Sequence, residues 1–282
     1  MSVREASGHE HRLTSARAQN VICLENSVRL ESKHRCVISS QSMDVRFLPA
    51  GDTALTVEFG DRIDRQLNDR VLHLRASLRV AAIDGVVETV PTFRSLMVHY
   101  DPNRIGGSQL TEIIRNLLDD RAPKGSVRRL WRVPIYYGQD CAPDLAEVAE
   151  RTALTPQEVA RRHSAVEYHV YMIGFVPGFP YMGDLPTEID LPRRREPRAK
   201  VPPGSVAIAS GMTGIYPIES PGGWHLIGVT PIHLFDAGCS RPSLFTTGDT
   251  VRFHAIGRDE YDVIRAAVAA SKYTVPSIEI EE

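Results

Sequence analysis

About half of the chain's 20 Gly and 19 Pro fall within residues 174–231. Pro fixes φ and removes a backbone donor, while Gly admits conformations closed to other residues. A segment this dense in both cannot run as a helix. Short strands joined by tight turns are what it can form. Between the breakers, apolar residues come in short β-type runs at 168–175, 205–209, 214–218, 224–228 and 232–235, with one more at 250–254. This spacing predicts a β-barrel or sandwich.

The rest of the chain alternates between the two periods. Residues 46–48 and 54–59 read as strands around the Ala50-Gly51-Asp52 turn. Ile63, Leu67, Val71, Leu74 and Leu78 recur at three- and four-residue steps, which predicts a helix over 61–80. Strands follow at 86–90 and 95–100. Leu110, Ile113, Ile114, Leu117 and Leu118 then mark an amphipathic helix. Two helices on one face of a small antiparallel sheet predict an α+β sandwich of ferredoxin-like type. Residues 122–126 read as a linker. Beyond it lie a strand at 132–137, a short helix at 144–151 and a helix starting at Thr155-Pro156-Gln157-Glu158. There Thr155 can cap free amides and Glu158 can complete a capping box. A last helix is expected at 259–271. Residues 1–42 are polar, mixed in charge and without a sustained period. They read as a disordered extension, with Met43 standing directly before the patterned sequence as an alternative start, or as a regulatory tail. The expected domains are thus 43–126 and 127–282.

Composition excludes several function classes. At 282 residues, 42% hydrophobic and 24% charged, the chain suits about two globular domains. A formal net charge of −2 gives no basic excess for nucleic acid or anionic lipid. No stretch approaches the roughly 18 apolar residues of a membrane span. Cys23, Cys36, Cys141 and Cys239 form no metal-ligand spacing and read as reduced thiols, which points to the cytoplasm. No metal site is expected. Phosphate-binding P-loop, dinucleotide, nucleophile-elbow and zinc-helix signatures are all absent.

Three segments remain as candidates. Gly174-Phe175-Val176-Pro177-Gly178-Phe179-Pro180-Tyr181-Met182-Gly183 reads as a stiff loop with aromatic rings. It either presents N–H groups and an aromatic wall to a ligand or packs on its own barrel. The run 191–202 carries Arg193, Arg194, Arg195, Arg198 and Lys200 against Glu196. Prolines keep it extended, so Arg193 and Arg195 reach one side and Arg194 the other. Guanidinium forks suit carboxylate or phosphate oxygens, but a solvated basic strand reads equally well. In the third segment, Ser220-Pro221-Gly222-Gly223 forms a turn from which Trp224 and His225 leave toward opposite faces. His225 is a candidate proton carrier, and His163 another. Core histidines satisfied by neighbours are the alternative for both.

These segments carry a resemblance. The run 167–181, the pairs Pro192-Arg193, Pro197-Arg198 and Val201-Pro202, Gly204-Ser205-Val206, and Thr213-Gly214-Ile215-Tyr216-Pro217 resemble one family. So do Ser220-Pro221-Gly222-Gly223-Trp224, Gly51-Asp52-Thr53-Ala54-Leu55 and Pro91-Thr92-Phe93-Arg94-Ser95-Leu96. The family holds the B-type subunit of 5-oxoprolinase, allophanate hydrolase subunit 1 and the sporulation kinase inhibitor KipI. The resemblance spans about 44–262, and residues 1–42 have no counterpart. It implies a ferredoxin-like N-terminal α/β sandwich followed by a cyclophilin-like β-barrel. It also implies work beside the C-type and A-type subunits of 5-oxoprolinase, coupling ATP hydrolysis, with Mg2+, to opening 5-oxo-L-proline to L-glutamate. The chain is expected to be inactive alone. A histidine-kinase inhibitor and subunit 1 of an allophanate- or urea-processing amidohydrolase are the alternatives. On this reading His225, Arg198 and His163 are the catalytic candidates. Gly178, Phe179, Pro180, Tyr181, Arg193, Ser220, Gly222, Gly223 and Trp224 are the substrate-binding candidates.

Overall fold

The structure is a computed structural model, and it describes residues 45–119 and 128–280. The predicted extension at 1–42 and the linker at 122–126 lie outside the described residues.

The first part runs β1 (Arg46–Pro49), β2 (Ala54–Glu58), α1 (Arg65–Ala81), β3 (Val86–Pro91), β4 (Ser95–Tyr100) and α2 (Gly107–Asp119). The strands form one antiparallel sheet in the order β1-β2-β4-β3. Helix α1 starts later than its apolar period predicted. Asp64 accepts hydrogen bonds from the Gln66 and Leu67 amides and fixes the N-terminus there. Ile63 therefore precedes the helix and is exposed. Leu67, Val71, Leu74 and Leu78 meet Leu55, Val57, Leu96 and Val98 of the sheet, with Leu110 and Ile114 of α2, in one core.

The second part runs β5 (Arg128–Ile135), α3 (Leu145–Arg151), α4 (Pro156–Ser164), β6 (Glu167–Ile173), β7 (Pro180–Gly183), a 3-10 turn (Thr187–Ile189) and β8 (Arg198–Val201). It continues through β9 (Ser205–Ala209), β10 (Met212–Ile215), β11 (Ser220–Gly222), β12 (His225–Val229), β13 (Thr250–Ala255), α5 (Arg258–Ala269) and β14 (Ser277–Ile280). Eight strands form one sheet, in the order β12-β9-β10-β7-β6-β13-β5-β14, and β8 and β11 make a separate pair. The β13–β5 pairing is parallel.

The expected closed β-barrel is not formed as a continuous ladder. Among the described residues one bridge, Tyr136 to Val229, links the end of β5 to β12, through amide hydrogen bonds of 2.8 and 2.9 Å. No strand pairing continues from that bridge among the described residues. The architecture is a mixed α+β one, with two sheets and a short two-stranded ladder.

Two local expectations also change. The strand expected at 232–235 reduces to a single bridge, Phe235 to Ser243. The last four residues of the expected 174–183 loop are instead β7, a central strand between β6 and β10. Pro180 is tolerated because it is the first residue of that strand.

Candidate functional site

The basic run 191–202 enters the structure as a loop ending in β8, and what organises it is Asp144. This residue stands at the start of α3 but makes no capping bond with its side chain. The carboxylate is buried. Its Oδ1 accepts from Arg194 Nη1 at 3.0 Å and Arg198 Nη2 at 2.6 Å, and its Oδ2 accepts from the Leu226 amide at 2.7 Å. The Asp144 amide donates back to the Leu226 carbonyl at 3.1 Å. One carboxylate thus holds two guanidiniums side by side and fixes β12 one residue beyond His225. Arg194 Nη1 also reaches Glu147 at 3.3 Å, and its backbone amide donates to the Gly223 carbonyl at 2.8 Å.

A cleft of about 520 Å³ opens here. Arg151, Arg193, Arg194 and Arg195 line it against Glu147 and Glu196, with His225 and Pro192 in its wall. Positive charge is in excess. Several buried polar atoms around it lack partners: Arg194 Nε, Arg198 Nη1, Ser220 Oγ and His225 Nδ1. An unsatisfied buried polar group costs about 1–3 kcal/mol, a cost that a ligand or ordered water reaching these atoms removes. His225 is fully buried, and its Nε2 lies 3.0 Å from the Pro192 carbonyl oxygen. A carbonyl only accepts, so Nε2 carries the proton. In the neutral ring Nδ1 is then the nitrogen with a free lone pair.

Next to this charge cluster stands an aromatic one. Phe179 makes edge contacts with Tyr181, Tyr216 and Trp224 at 5.0, 5.1 and 5.6 Å between ring centroids. Tyr181 meets Trp224 at 5.9 Å and Phe93 at 5.6 Å. The exposed Arg193 guanidinium lies 5.9 Å above the Trp224 ring, at the outer limit of a cation–π contact. Two glycines make this packing possible. Gly178 has φ +81°, and a Cβ there would stand 2.8 Å from Phe235 Cβ. A Cβ on Gly222 would collide with Tyr216 Oη.

Of the expected site residues, Arg193, Arg198, His225, Phe179, Tyr181, Trp224, Ser220, Gly222 and Gly223 gather around the Asp144 cluster and the aromatic wall. Pro180 is buried at the start of β7, and Gly178 shapes the turn before it. His163 does not join them. It is fully buried in the core and stacks on Phe253 at 4.8 Å. Tyr137 hydroxyl and Thr213 Oγ1 meet its Nδ1 and Nε2 at 2.7 and 2.8 Å. Thr213 donates its own proton to the Ala207 carbonyl, so His163 Nε2–H donates to Thr213 and Nδ1 accepts from Tyr137. Burial lowers its pKa to about 3. With both nitrogens engaged and no proton to give near neutrality, His163 is a structural residue rather than a proton carrier.

Sequence reasoning missed Asp144, Phe93 and Tyr216. Ala142-Pro143-Asp144-Leu145 reads as an ordinary helix start, and Arg194 and Arg198 lie some fifty residues away. Nothing local signals that pairing. Phe93 and Tyr216 stand out in the sequence only as members of longer motifs.

Residues 45–245 match the family described as carboxyltransferase domain, subdomain C and D. The chain is 39% identical over 222 residues to the B-type subunit of 5-oxoprolinase from Bacillus subtilis (strain 168), covering 75% of this chain and 92% of that protein. It is 38% identical over 204 residues to the corresponding 5-oxoprolinase subunit of Escherichia coli O157:H7, with 72% and 92% covered. Among solved structures, TTHA0988 matches at 34% identity and a TM-score of 0.65, over 72% of this chain and 40% of that one. The Kluyveromyces lactis urea carboxylase shares the fold at 19% identity and a TM-score of 0.68, over 84% of this chain and 24% of that one. The chain therefore spans less than half the length of either solved chain. Its motifs at the cleft, the matched span and the extent of identity to these relatives agree, and the chain belongs to the carboxyltransferase domain, subdomain C and D, family.

Proposed function

We propose that this chain is the B-type subunit of an ATP-dependent 5-oxoprolinase complex, which opens 5-oxo-L-proline to L-glutamate. The observation that carries this is the 39% identity to a 5-oxoprolinase subunit of that type across 92% of its length. The cleft suits the substrate class: a small, flat, ring-shaped carboxylate. Arg193, exposed and lining the cleft beside Trp224, is available to the carboxylate.

A lactam carbonyl is a poor electrophile because its nitrogen donates into it. Opening it develops negative charge on oxygen and requires a proton for the leaving nitrogen. The free N–H groups of Arg194 and Arg198 are fixed before any substrate arrives, because Asp144 holds both guanidiniums. His225 Nδ1 takes a proton from attacking water and returns it to the leaving nitrogen.

ATP supplies the driving force for such a reaction, with Mg2+ at its phosphates. Among the described residues no group of three or more His, Cys, Asp or Glu side chains is arranged to hold a metal ion. Asp144, the buried carboxylate of the cleft, is already taken by two arginines. These residues do not fit a Mg2+ site. In this reading ATP and Mg2+ are bound mainly by a partner, the C-type or the A-type subunit. In the same reading the β1-β2-β4-β3 sheet with its two helices is a ferredoxin-like layer, and the eight-stranded sheet is cyclophilin-like. The cysteine pattern supports a cytoplasmic location for the complex. No helix among the described residues is long and apolar enough to cross a membrane.

The test is co-purification with the A-type and C-type subunits, followed by ATPase assay with 5-oxoproline and, separately, allophanate. 5-Oxoproline-dependent ATP hydrolysis is expected. His225→Ala should lower turnover at least roughly a hundredfold, as loss of a general acid–base does, with assembly intact. Arg193→Ala should raise KM for 5-oxoproline more than it lowers kcat. Stimulation by allophanate alone, or failure to associate with the C-type subunit, overturns the assignment.

A further inference from the structure

A second cleft lies away from Asp144, between α1, β3 and the segment 241–247, with a volume of about 750 Å³. Leu72, Ala76, Ile83 and Val86 make it apolar. One wall is set by a close approach: a Cβ on Gly248 would lie 3.0 Å from Leu72 Cδ1, so the turn before Gly248 packs directly on α1. The Arg128–Asp69 ion pair, at 2.9 Å, joins the start of β5 to α1 beside it.

Three further arginines line this space: Arg75, Arg79 and Arg241. Arg75 and Arg79 are one helical turn apart, a spacing at which like charges repel. No carboxylate pairs with any of the three among the described residues. Glu88 is the one acidic side chain in the lining, which leaves a surplus of two positive charges beside the neutralised Arg128. Arg75 is half-buried. Burial, together with Arg79, pulls its pKa down from the usual arginine value. In the first cluster, by contrast, Arg194 and Arg198 are held by Asp144. Here three guanidiniums line one space beside an apolar floor with no carboxylate partner among the described residues. Thr246 and Thr247 add hydroxyl donors at the rim.

We propose that this cleft binds a small organic dianion with an apolar body, of the phosphate monoester class. The volume falls in the range of small-molecule sites, roughly 300–1,000 Å³. Two surplus charges match one dianionic phosphate. Guanidinium forks match its oxygens, and the aliphatic floor matches the body. The site is independent of the proposed 5-oxoprolinase reaction and needs neither nucleotide nor partner subunit.

The test is titration calorimetry of the full chain with phenyl phosphate, inorganic phosphate and phenol. Phenyl phosphate is expected to bind at one site, at least roughly tenfold tighter than either fragment. Arg75→Gln and Arg241→Gln should each weaken it at least about tenfold, since each removes a charge-assisted contact. Arg193→Gln, in the other cleft, should leave it unchanged. Arg79→Gln, at an exposed position, replaces Arg75→Gln should that variant fail to fold. No binding of phenyl phosphate, equal binding of inorganic phosphate, or binding lost in Arg193→Gln but kept in Arg75→Gln and Arg241→Gln overturns the proposal.

Discussion

Asp144 is placed where an aspartate ordinarily caps a helix, yet its carboxylate is engaged by Arg194, Arg198 and the Leu226 amide. Removing it leaves two guanidiniums, each about three-quarters buried, with only the half-exposed Glu147 at 3.3 Å from Arg194 as a counter-charge. Asp144→Ala should therefore cost about 3 kcal/mol in urea unfolding, the scale of breaking a buried ion pair. A loss below about 0.5 kcal/mol, the range of an ordinary surface substitution, contradicts that account. His163 makes a second prediction. Its pKa is about 3 in the fold against an ordinary 6.5, and that of His169 is about 4 against the same value. The unfolded chain takes up these protons first, so their contribution to stability is complete above about pH 6.5. It is lost progressively as pH falls toward 4 and then 3. Each histidine adds at most about 1.4 kcal/mol per pH unit within its window. Denaturation midpoints measured from pH 7 to 4 should fall accordingly, and His163→Gln should flatten the slope.

At the level of elements, caps and turns respond to local chemistry, and pairings to distant contacts. Thr155 accepts from the Glu158 amide at 3.1 Å, as its sequence predicts. The other half of the expected capping box is replaced: Glu158 binds Arg161 and Arg162, which hold its pKa near 2. The loop ahead of β7 depends on Gly178. At φ +81° with Phe235 Cβ 2.8 Å from a would-be Cβ, Gly178→Ala is strained in backbone and in packing. It should lower stability by roughly 2 kcal/mol and lower Trp224 fluorescence order, because Phe179, the next residue, is the hub of the aromatic wall. Unchanged stability in a thermal melt would show that the turn relaxes freely.

On the scale of the whole molecule, one buried polar residue ties the two parts together. Asn68 lies in the apolar stripe of α1, where Leu67 and Val71 surround it in sequence. Its two Nδ2 protons are shared among the carbonyls of Thr92, Phe93 and Tyr171 at 3.0, 3.2 and 3.1 Å, and its Oδ1 accepts from His169 Nε2 at 2.9 Å. The bonds to Tyr171 and His169 join α1 to β6, and Arg128–Asp69 adds an ion pair nearby. Asn68→Ala leaves these buried groups unpaired, at a cost of roughly 2 kcal/mol or more. Calorimetry should then resolve two unfolding transitions where the parent shows one. A single transition with an unchanged midpoint would show that the parts are coupled by other contacts.

Periodicity and turn chemistry in the chain alone determine most of the elements. The apolar face of α1, the Thr155 cap and the strands at Ser95–Tyr100 and Ser205–Ala209 follow from interactions within a few residues. The Gly/Pro-dense segment likewise marks in advance where the cleft lies. Only the tertiary structure decides how those pieces pair. It makes Pro180–Gly183 a central strand, leaves one bridge between the end of β5 and β12, and brings Asp144 across fifty residues to two arginines. It also separates two histidines that the sequence treats alike, closing both nitrogens of His163 and leaving Nδ1 of His225 open. The reason is physical. Local propensity depends on neighbours in sequence, whereas a hydrogen-bond partner or a buried charge depends on which distant surfaces the core brings together.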